Sequence, residues 1–156
     1  MENEETPEPT HPPMTEPLRR PYAPVETPQG VTLTPENKCS FCPGARCCRY
    51  ITHKIDTPRA KHDFDHLLWQ VAHDNVELYK DADGWYLMFL SPCAKLLPDG
   101  RCGVYATRPQ ICRDYSNDYC EYDSPAEEGF SLHFRSFEEL DAYCRKRFKR
   151  WDARFA

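Results

Sequence analysis

The residues of this 156-residue chain with the most evident chemistry are its nine cysteines, seven of which fall in two blocks. The first block places Cys39, Cys42, Cys47 and Cys48 within ten residues. Two cysteines separated by two residues can direct both sulfurs at one metal ion from a tight turn. The Pro43-Gly44 pair that follows allows backbone N–H groups to approach the sulfurs. This spacing predicts a metal-binding knuckle.

The second block consists of Cys93, Cys102 and Cys112, with Cys120 beyond it. Cys93 and Cys102 flank a predicted hairpin, whose closure would bring their sulfurs together. The side chains of the adjacent Cys47 and Cys48 diverge, so either one of them is a spectator or there are two metal centres. The favoured ligands are Cys39, Cys42, Cys47, Cys93, Cys102 and Cys112, and the next candidates are Cys48 and Cys120.

The metal itself stays open between iron and zinc. Four thiolates from two knuckles suit tetrahedral zinc, whereas three closely spaced cysteines with a remote fourth suit an iron–sulfur cluster. A redox dithiol at Cys39 and Cys42 is disfavoured, because such a site needs a strand before the pair and a helix after it.

The start of the chain and its cysteine count favour metal over disulfides. An odd number of cysteines leaves one thiol over in a disulfide framework. Residues 1 to 5 are acidic, so the basic start of a secretory signal is missing. No apolar run approaches the roughly eighteen residues that span a bilayer. We therefore expect a cytoplasmic protein with reduced thiols and no membrane association.

The elements that must position the thiols begin after a proline-rich tail. Residues 1–35 contain nine of the fifteen prolines and little apolar periodicity, which predicts a disordered tail. Residues 36–156 are predicted to form one metal-stapled cysteine-rich domain of the α+β class. That domain would combine one long helix, a short antiparallel sheet and a C-terminal helix around the cysteine site.

Apolar spacing and turn residues give the boundaries of the predicted elements. They are a helix over 58–80 capped by Thr57, a strand over 85–90, a hairpin with its tip at 98–100, a short helix from Thr107, a strand over 130–134, and an amphipathic helix after Ser136. The stretch 116–129 is predicted to be a loop. Cys144 falls in the apolar stripe of the last helix and is expected to be a core residue.

Three further patterns could concern partners. His62, His66 and His73 share one face of the predicted long helix, where solvated histidines are the ordinary explanation. Trp69 borders that stripe and would mark a protein-binding surface if exposed. Basic residues from Arg145 to Arg154 form a second candidate surface on the C-terminal helix. The net charge of -5 argues against general affinity for nucleic acid.

The ordered set of residues from Lys38 to Cys120 resembles the YkgJ-like cysteine-cluster family, described as zinc- or iron-chelating domains. The resemblance rests on the four thiols of the first block and on a second set of residues. That set is Cys93, Leu96, Gly100, Cys102, Tyr105, Arg108, Pro109, Cys112, Arg113 and Tyr115. The four-residue gap before Cys47 departs from the tighter family pattern. The resemblance implies metal binding and leaves the metal open; flagellin lysine methylases carry a similar cluster.

The sequence thus predicts a metal-binding cysteine-cluster protein of unassigned biological role. One alternative is an iron-dependent or iron–sulfur enzyme or electron carrier, although no separate acid–base constellation is evident in the sequence. The other alternative is a zinc-stapled interaction module that binds a protein through the Trp69 face or the basic helix. Oligomeric state, substrate and metal count are not predicted.

Overall fold

The computed structural model of the chain describes residues 29–34, 37–42, 44–114, 121–122 and 125–155. Its helices are α1 (Lys38–Phe41), α2 (Lys61–Val71), α3 (Gln110–Asp114) and α4 (Phe137–Arg147). Its strands are β1 (Ile51–Ile55), β2 (Val76–Lys80), β3 (Trp85–Phe89) and β4 (Leu132–Phe134). The mixture of helices with an antiparallel sheet confirms the α+β class. Most of the predicted tail lies outside the described residues, but Leu33 within it is buried.

The four strands form one antiparallel sheet in the order β1-β3-β2-β4. The β2 and β3 strands form a hairpin whose turn is closed by Asp81. The Asp81 carboxylate accepts hydrogen bonds from the backbone N–H groups of Asp83, at 2.8 Å, and Gly84, at 3.1 Å. Strand β1 pairs with β3 from Ile51 opposite Phe89 to Ile55 opposite Trp85.

One face of the sheet is covered by α2 and α4, and the apolar core lies in between. Side chains alternate between the two faces of a strand, so Leu78, Leu87 and Phe134 all point to this side. The buried core residues are Phe64, Leu67, Leu68, Val71, Leu78, Trp85, Leu87, Phe134, Leu140, Cys144 and Trp151. The burial of Cys144 confirms its predicted core position.

The predicted long helix over 58–80 is wrong at both ends. Helix α2 ends at Val71, the chain turns through Asn75 with a φ of 65°, and 76–80 form strand β2. Asparagine tolerates this left-handed conformation, and pairing with β3 overrides the apparent helical spacing of the apolar residues that follow. Thr57 is not the cap, because the Asp63 carboxylate instead accepts hydrogen bonds from the N–H groups of residues 59 and 60.

The predicted hairpin is reduced to a single bridge between Leu96 and Cys102. Helix α3 begins at Gln110 rather than at Thr107, because Arg108 precedes a proline and is extended with a ψ of 150°. A 3₁₀ turn over Tyr105–Thr107 precedes it. The predicted loop over 116–129 lies partly outside the described residues and ends in a 3₁₀ turn, Ala126–Gly129.

Three other elements follow the sequence more closely. The strands predicted over 85–90 and 130–134 are confirmed as β3 and the shorter β4. Ser136 caps α4 as predicted and accepts a hydrogen bond from the Glu139 N–H at 3.4 Å. Strand β1 was not predicted, because most of its side chains are exposed and only Ile55 of its five residues packs against the core.

Candidate metal centre

The sheet brings the two cysteine blocks together. The first block precedes β1 and the second follows β3, and these two strands are neighbours in the sheet. The backbone N–H of Cys93 donates a hydrogen bond of 2.7 Å to the Cys48 carbonyl, just beyond the Ile51–Phe89 pair. The two blocks therefore leave the same end of the sheet side by side.

The tip of the second block also rests on the first. Leu97 and Arg101 are joined by a backbone hydrogen bond of 2.8 Å, which folds the intervening Pro98-Asp99-Gly100 into a tight turn. Gly100 has a φ of +84°, and a Cβ built there would lie 3.4 Å from the Cys42 carbonyl oxygen. A glycine suits this position, because the backbone is left-handed and the space toward the first block is limited.

Cys47 and Cys48 interact mainly with different sets of thiols. Burial, the largest cause, together with nearby Cys48, Cys39 and Cys42 raises the pKa of Cys47 to about 12. Burial also raises the pKa of Cys48, a hydrogen bond from Cys47 lowers it in part, and Cys93, Cys102 and Cys112 raise it again. Cys47 thus lies among the thiols of its own block, whereas Cys48 lies near all three thiols of the second block and also near Cys39 of the first.

The described thiols of both blocks are partly accessible to solvent. Cys39, Cys47, Cys93 and Cys112 are exposed, and Cys42, Cys48 and Cys102 are of intermediate burial. Within the described part of the chain, no three His, Cys, Asp or Glu side chains are close enough together to hold one ion. Cys120, a further predicted ligand, lies outside the described residues.

Two cations accompany the thiols. Burial and the neighbouring Cys42 raise the pKa of Cys39, while Arg108 and Lys38 act to lower it. Lys38 is only 1% exposed, an unusual degree of burial for a lysine. The Arg108 guanidinium lies 3.8 Å from the centre of the Tyr105 ring, and its buried Nε has no hydrogen-bond partner among the described residues. Such cations offset the negative charge of thiolates bound to a metal.

The chemistry of this group fits a thiolate-bound metal. Sulfur ligands suit zinc and iron–sulfur clusters, and the Lys95 N–H points at the Cys93 Sγ from 3.4 Å. N–H groups directed at sulfur are a common feature of such centres, since they stabilise the thiolate form. The sulfurs need side-chain rotation to share one ion, and the exposed thiols have room for it.

A polar cleft beside the first cysteine block was missed at the sequence level. Its cavity of about 230 Å³ contains Tyr50 and His133 among its lining residues. His133 Nε2 lies 2.6 Å from Glu77 Oε2, and both side chains are about 15% exposed. The Tyr50 hydroxyl donates to the buried carboxylate of Glu121. The sequence pattern placed Glu77 in a helix and therefore did not predict its pair with His133. In the structure Glu77 lies in strand β2, next to β4, which contains His133.

The candidate partner surfaces have different outcomes. Trp69 is 62% exposed and its ring lies 5.5 Å from those of both His66 and His73. His62 pairs instead with Asp63 at 2.9 Å. Two of the six basic residues in α4 and the segment that follows it form ion pairs within the described part of the domain. Arg145 pairs with Asp141 and Asp152, and Arg154 pairs with Asp65.

Comparison with known proteins adds no relative to these observations. No protein-family model, curated protein or solved structure matches the chain. Among the described helices, none is both long enough and apolar enough to cross a bilayer.

Proposed function

We propose that the chain is a metal-binding protein whose cysteine cluster holds iron, as ions or in an iron–sulfur cluster, or zinc. The observation that carries the proposal is the hydrogen bond from Cys93 to Cys48, which joins two cysteine blocks that lie far apart in the sequence. It gathers seven thiols at one end of the sheet. The resemblance of the same residues to the YkgJ-like family supports the same function.

The thiols form two groups in this proposal. Cys48, Cys93, Cys102 and Cys112 supply the four thiolates that a tetrahedral zinc ion or a four-iron cluster takes. Cys39, Cys42 and Cys47 form a second group of three, for which Cys120 is the candidate fourth ligand. Each member of the Cys47-Cys48 doublet then serves a different group, which removes the need for a spectator thiol.

Metal binding requires thiolates, and the raised thiol pKa values oppose them in the absence of a cation. Binding would therefore release protons, and Lys38 and Arg108 would offset part of the remaining negative charge. Bound zinc would act as a cross-link between the two blocks, whereas an iron–sulfur cluster would add a carrier of electrons. Thiols of this kind stay reduced in a reducing compartment, which supports a cytoplasmic location.

The test is to purify the full chain without oxygen, record its visible spectrum, and measure iron, zinc and acid-labile sulfide. We expect stoichiometric metal: colour with iron and sulfide for a cluster, or a colourless protein with zinc. Cys48→Ser should remove the metal held with the second block, whereas Cys47→Ser should remove only metal held within the first. Cys144→Ser is the matched control because its thiol lies in the apolar core. A wild-type protein that takes up neither metal would overturn the proposal.

A further inference from the structure

The face of the sheet opposite the helices is not a plain solvent surface. Alternation of side chains places Glu77 and Tyr79 of β2, Met88 of β3 and His133 of β4 on this side. Phe130 stacks on Tyr79 with 4.1 Å between ring centres and covers one part of this face. The other part forms the floor of the 230 Å³ cleft.

The walls of the cleft come from two other segments. Arg46, Arg49 and Tyr50 stand on one side, in and directly after the first cysteine block. Glu121 and Glu127 stand on another. The volume of the cleft is below the range of about 300 to 1,000 Å³ typical of drug-sized ligands, so a ligand of metabolite size fits it.

The carboxylates of the cleft already have partners. Glu77 pairs with His133, Glu121 accepts from Tyr50, and Glu127 pairs with Arg46 at 3.3 Å. Because a carboxylate only accepts hydrogen bonds, His133 Nε2 donates to Glu77, and this bond fixes the imidazole ring. The acidic groups are therefore satisfied without a ligand.

Two guanidinium groups at the cleft differ from the acids in this respect. Arg135 makes no side-chain hydrogen bond or ion pair with any described residue, and Arg49 donates to the carbonyl of Gly44 rather than to a carboxylate. Guanidinium groups bind carboxylates with two parallel hydrogen bonds. Two arginines that have no carboxylate partner among the described residues thus line a cleft whose three glutamates all have a hydrogen-bonding or ionic partner.

We propose that this cleft binds a small organic carboxylate, with its anionic end at Arg49 and Arg135 and a polar group toward His133. Three arginines and three glutamates line the cleft, so their formal charges balance. A singly charged planar anion suits such a balance better than a multiply charged phosphate, which would meet more repulsion from the glutamates. The inference does not depend on the proposed metal, although the cleft adjoins the metal-binding block.

The probes are acetate, pentanoate, succinate and glutamate, titrated into the isotope-labelled full chain at constant ionic strength and followed by amide chemical shifts. Pentanamide and inorganic phosphate are the matched comparisons. We expect saturable binding of at least one carboxylate with shifts around His133, and much weaker binding of pentanamide and phosphate. No saturable carboxylate binding, or equal binding of pentanamide or phosphate, would overturn the proposal.

Substitutions at the cleft test where the carboxylate binds. Arg135→Gln should weaken carboxylate binding about tenfold or more through loss of a charged hydrogen-bonding partner, and His133→Gln should weaken it as well. Arg59→Gln, an exposed arginine outside the cleft, should bind as wild type. An Arg135→Gln variant with wild-type affinity would refute the assigned site. Metal content is measured for every variant, so carboxylate binding without metal, or metal without carboxylate binding, separates this inference from the proposed function.

Discussion

The helix–sheet body and the cysteine region are built on different principles. The body, residues 51–89 and 132–155, contains fully buried apolar side chains such as Phe64, Leu78 and Leu140. The cysteine region, residues 37–50 and 90–114, has only Lys38 and Ala45 buried among its described residues. Hydrophobic burial therefore accounts for the order of the body, and the cysteine region has very little of it.

The cysteine region therefore lacks the apolar burial that offsets the conformational entropy lost on folding. Fixing the backbone of one residue costs about 1 to 2 kcal/mol, and a segment with few buried side chains recovers little of that cost. The region is held by a few contacts, such as the Cys93–Cys48 hydrogen bond and the short Leu96–Cys102 bridge. The metal bonds proposed for its thiols would stabilise it most, since structural metal sites contribute about 10 kcal/mol or more.

Replacement of candidate cysteine ligands should have the largest effect on hydrogen exchange, and that effect should be confined to the cysteine region. In a Cys93→Ser/Cys102→Ser variant we expect the rate of amide hydrogen exchange over 93–114 to rise at least tenfold. Helices α2 and α4 should stay protected, because they pack on the apolar core, which the segment 93–114 does not. Mass spectrometry of exchanged peptides measures both regions at once. Removal of metal from the wild type by a chelator should give the same pattern. Uniform exchange changes would contradict the division into two regions.

Damage to the body should give the converse result. Phe64→Ala removes a ring that contacts Trp85 and Phe148 in the core, and should lower the free energy of unfolding by about 3 to 5 kcal/mol. Urea titration followed by circular dichroism measures this, and metal content per folded chain should not change. Trp69→Ala, on the exposed side of the same helix, is the control and should cost less than about 0.5 kcal/mol. Loss of metal in the folded Phe64→Ala variant would show that the regions are coupled.

A smaller effect concerns the hydrogen bonds that the Asp141 carboxylate accepts from Trp151 and Arg145. Burial acts to raise the pKa of Asp141, but hydrogen bonds from Trp151 and Arg145 outweigh it, so the pKa is lowered from 3.8. A depressed pKa stabilises the fold above the ordinary pKa, and this contribution is lost as the pH falls through the folded-state value. Asp141→Asn should therefore cost about 1 kcal/mol at pH 7 and progressively less below about pH 4. Tryptophan fluorescence during urea unfolding provides the measurement.

The control for this prediction is Asp152→Asn. Asp152 also pairs with Arg145, but its side chain is 74% exposed, so its replacement should have a smaller effect than that of Asp141. Equal losses from the two variants would contradict a larger contribution from the less exposed carboxylate of Asp141.

The sequence predicted the elements with strong local signals and missed those created by pairing. Ser136 and the apolar stripe after it predict α4, and the run from Trp85 predicts β3. The signals at Leu78 and Tyr79 fit a helix and a strand equally well, and only pairing with β3 decides between them. The only apolar residues on the core-facing side of strand β1 are Ile51 and Ile55, which is too weak an apolar pattern to predict a strand. The candidate ligands follow from their spacing, whereas the cleft depends on cross-strand neighbours such as Glu77 and His133, which spacing alone does not give.

The strand order has a consequence for the timing of synthesis. Cys48 and Cys93 are brought together only by pairing of β1 with β3, and the hairpin partner β2 precedes β3 in the chain. At about 5 to 20 residues per second, a ribosome needs roughly two to nine seconds to proceed from Cys48 to Cys93. During that interval the first block is exposed without the second. The order of translation therefore makes the first block available for a metal ion or a carrier protein before the complete cluster can form.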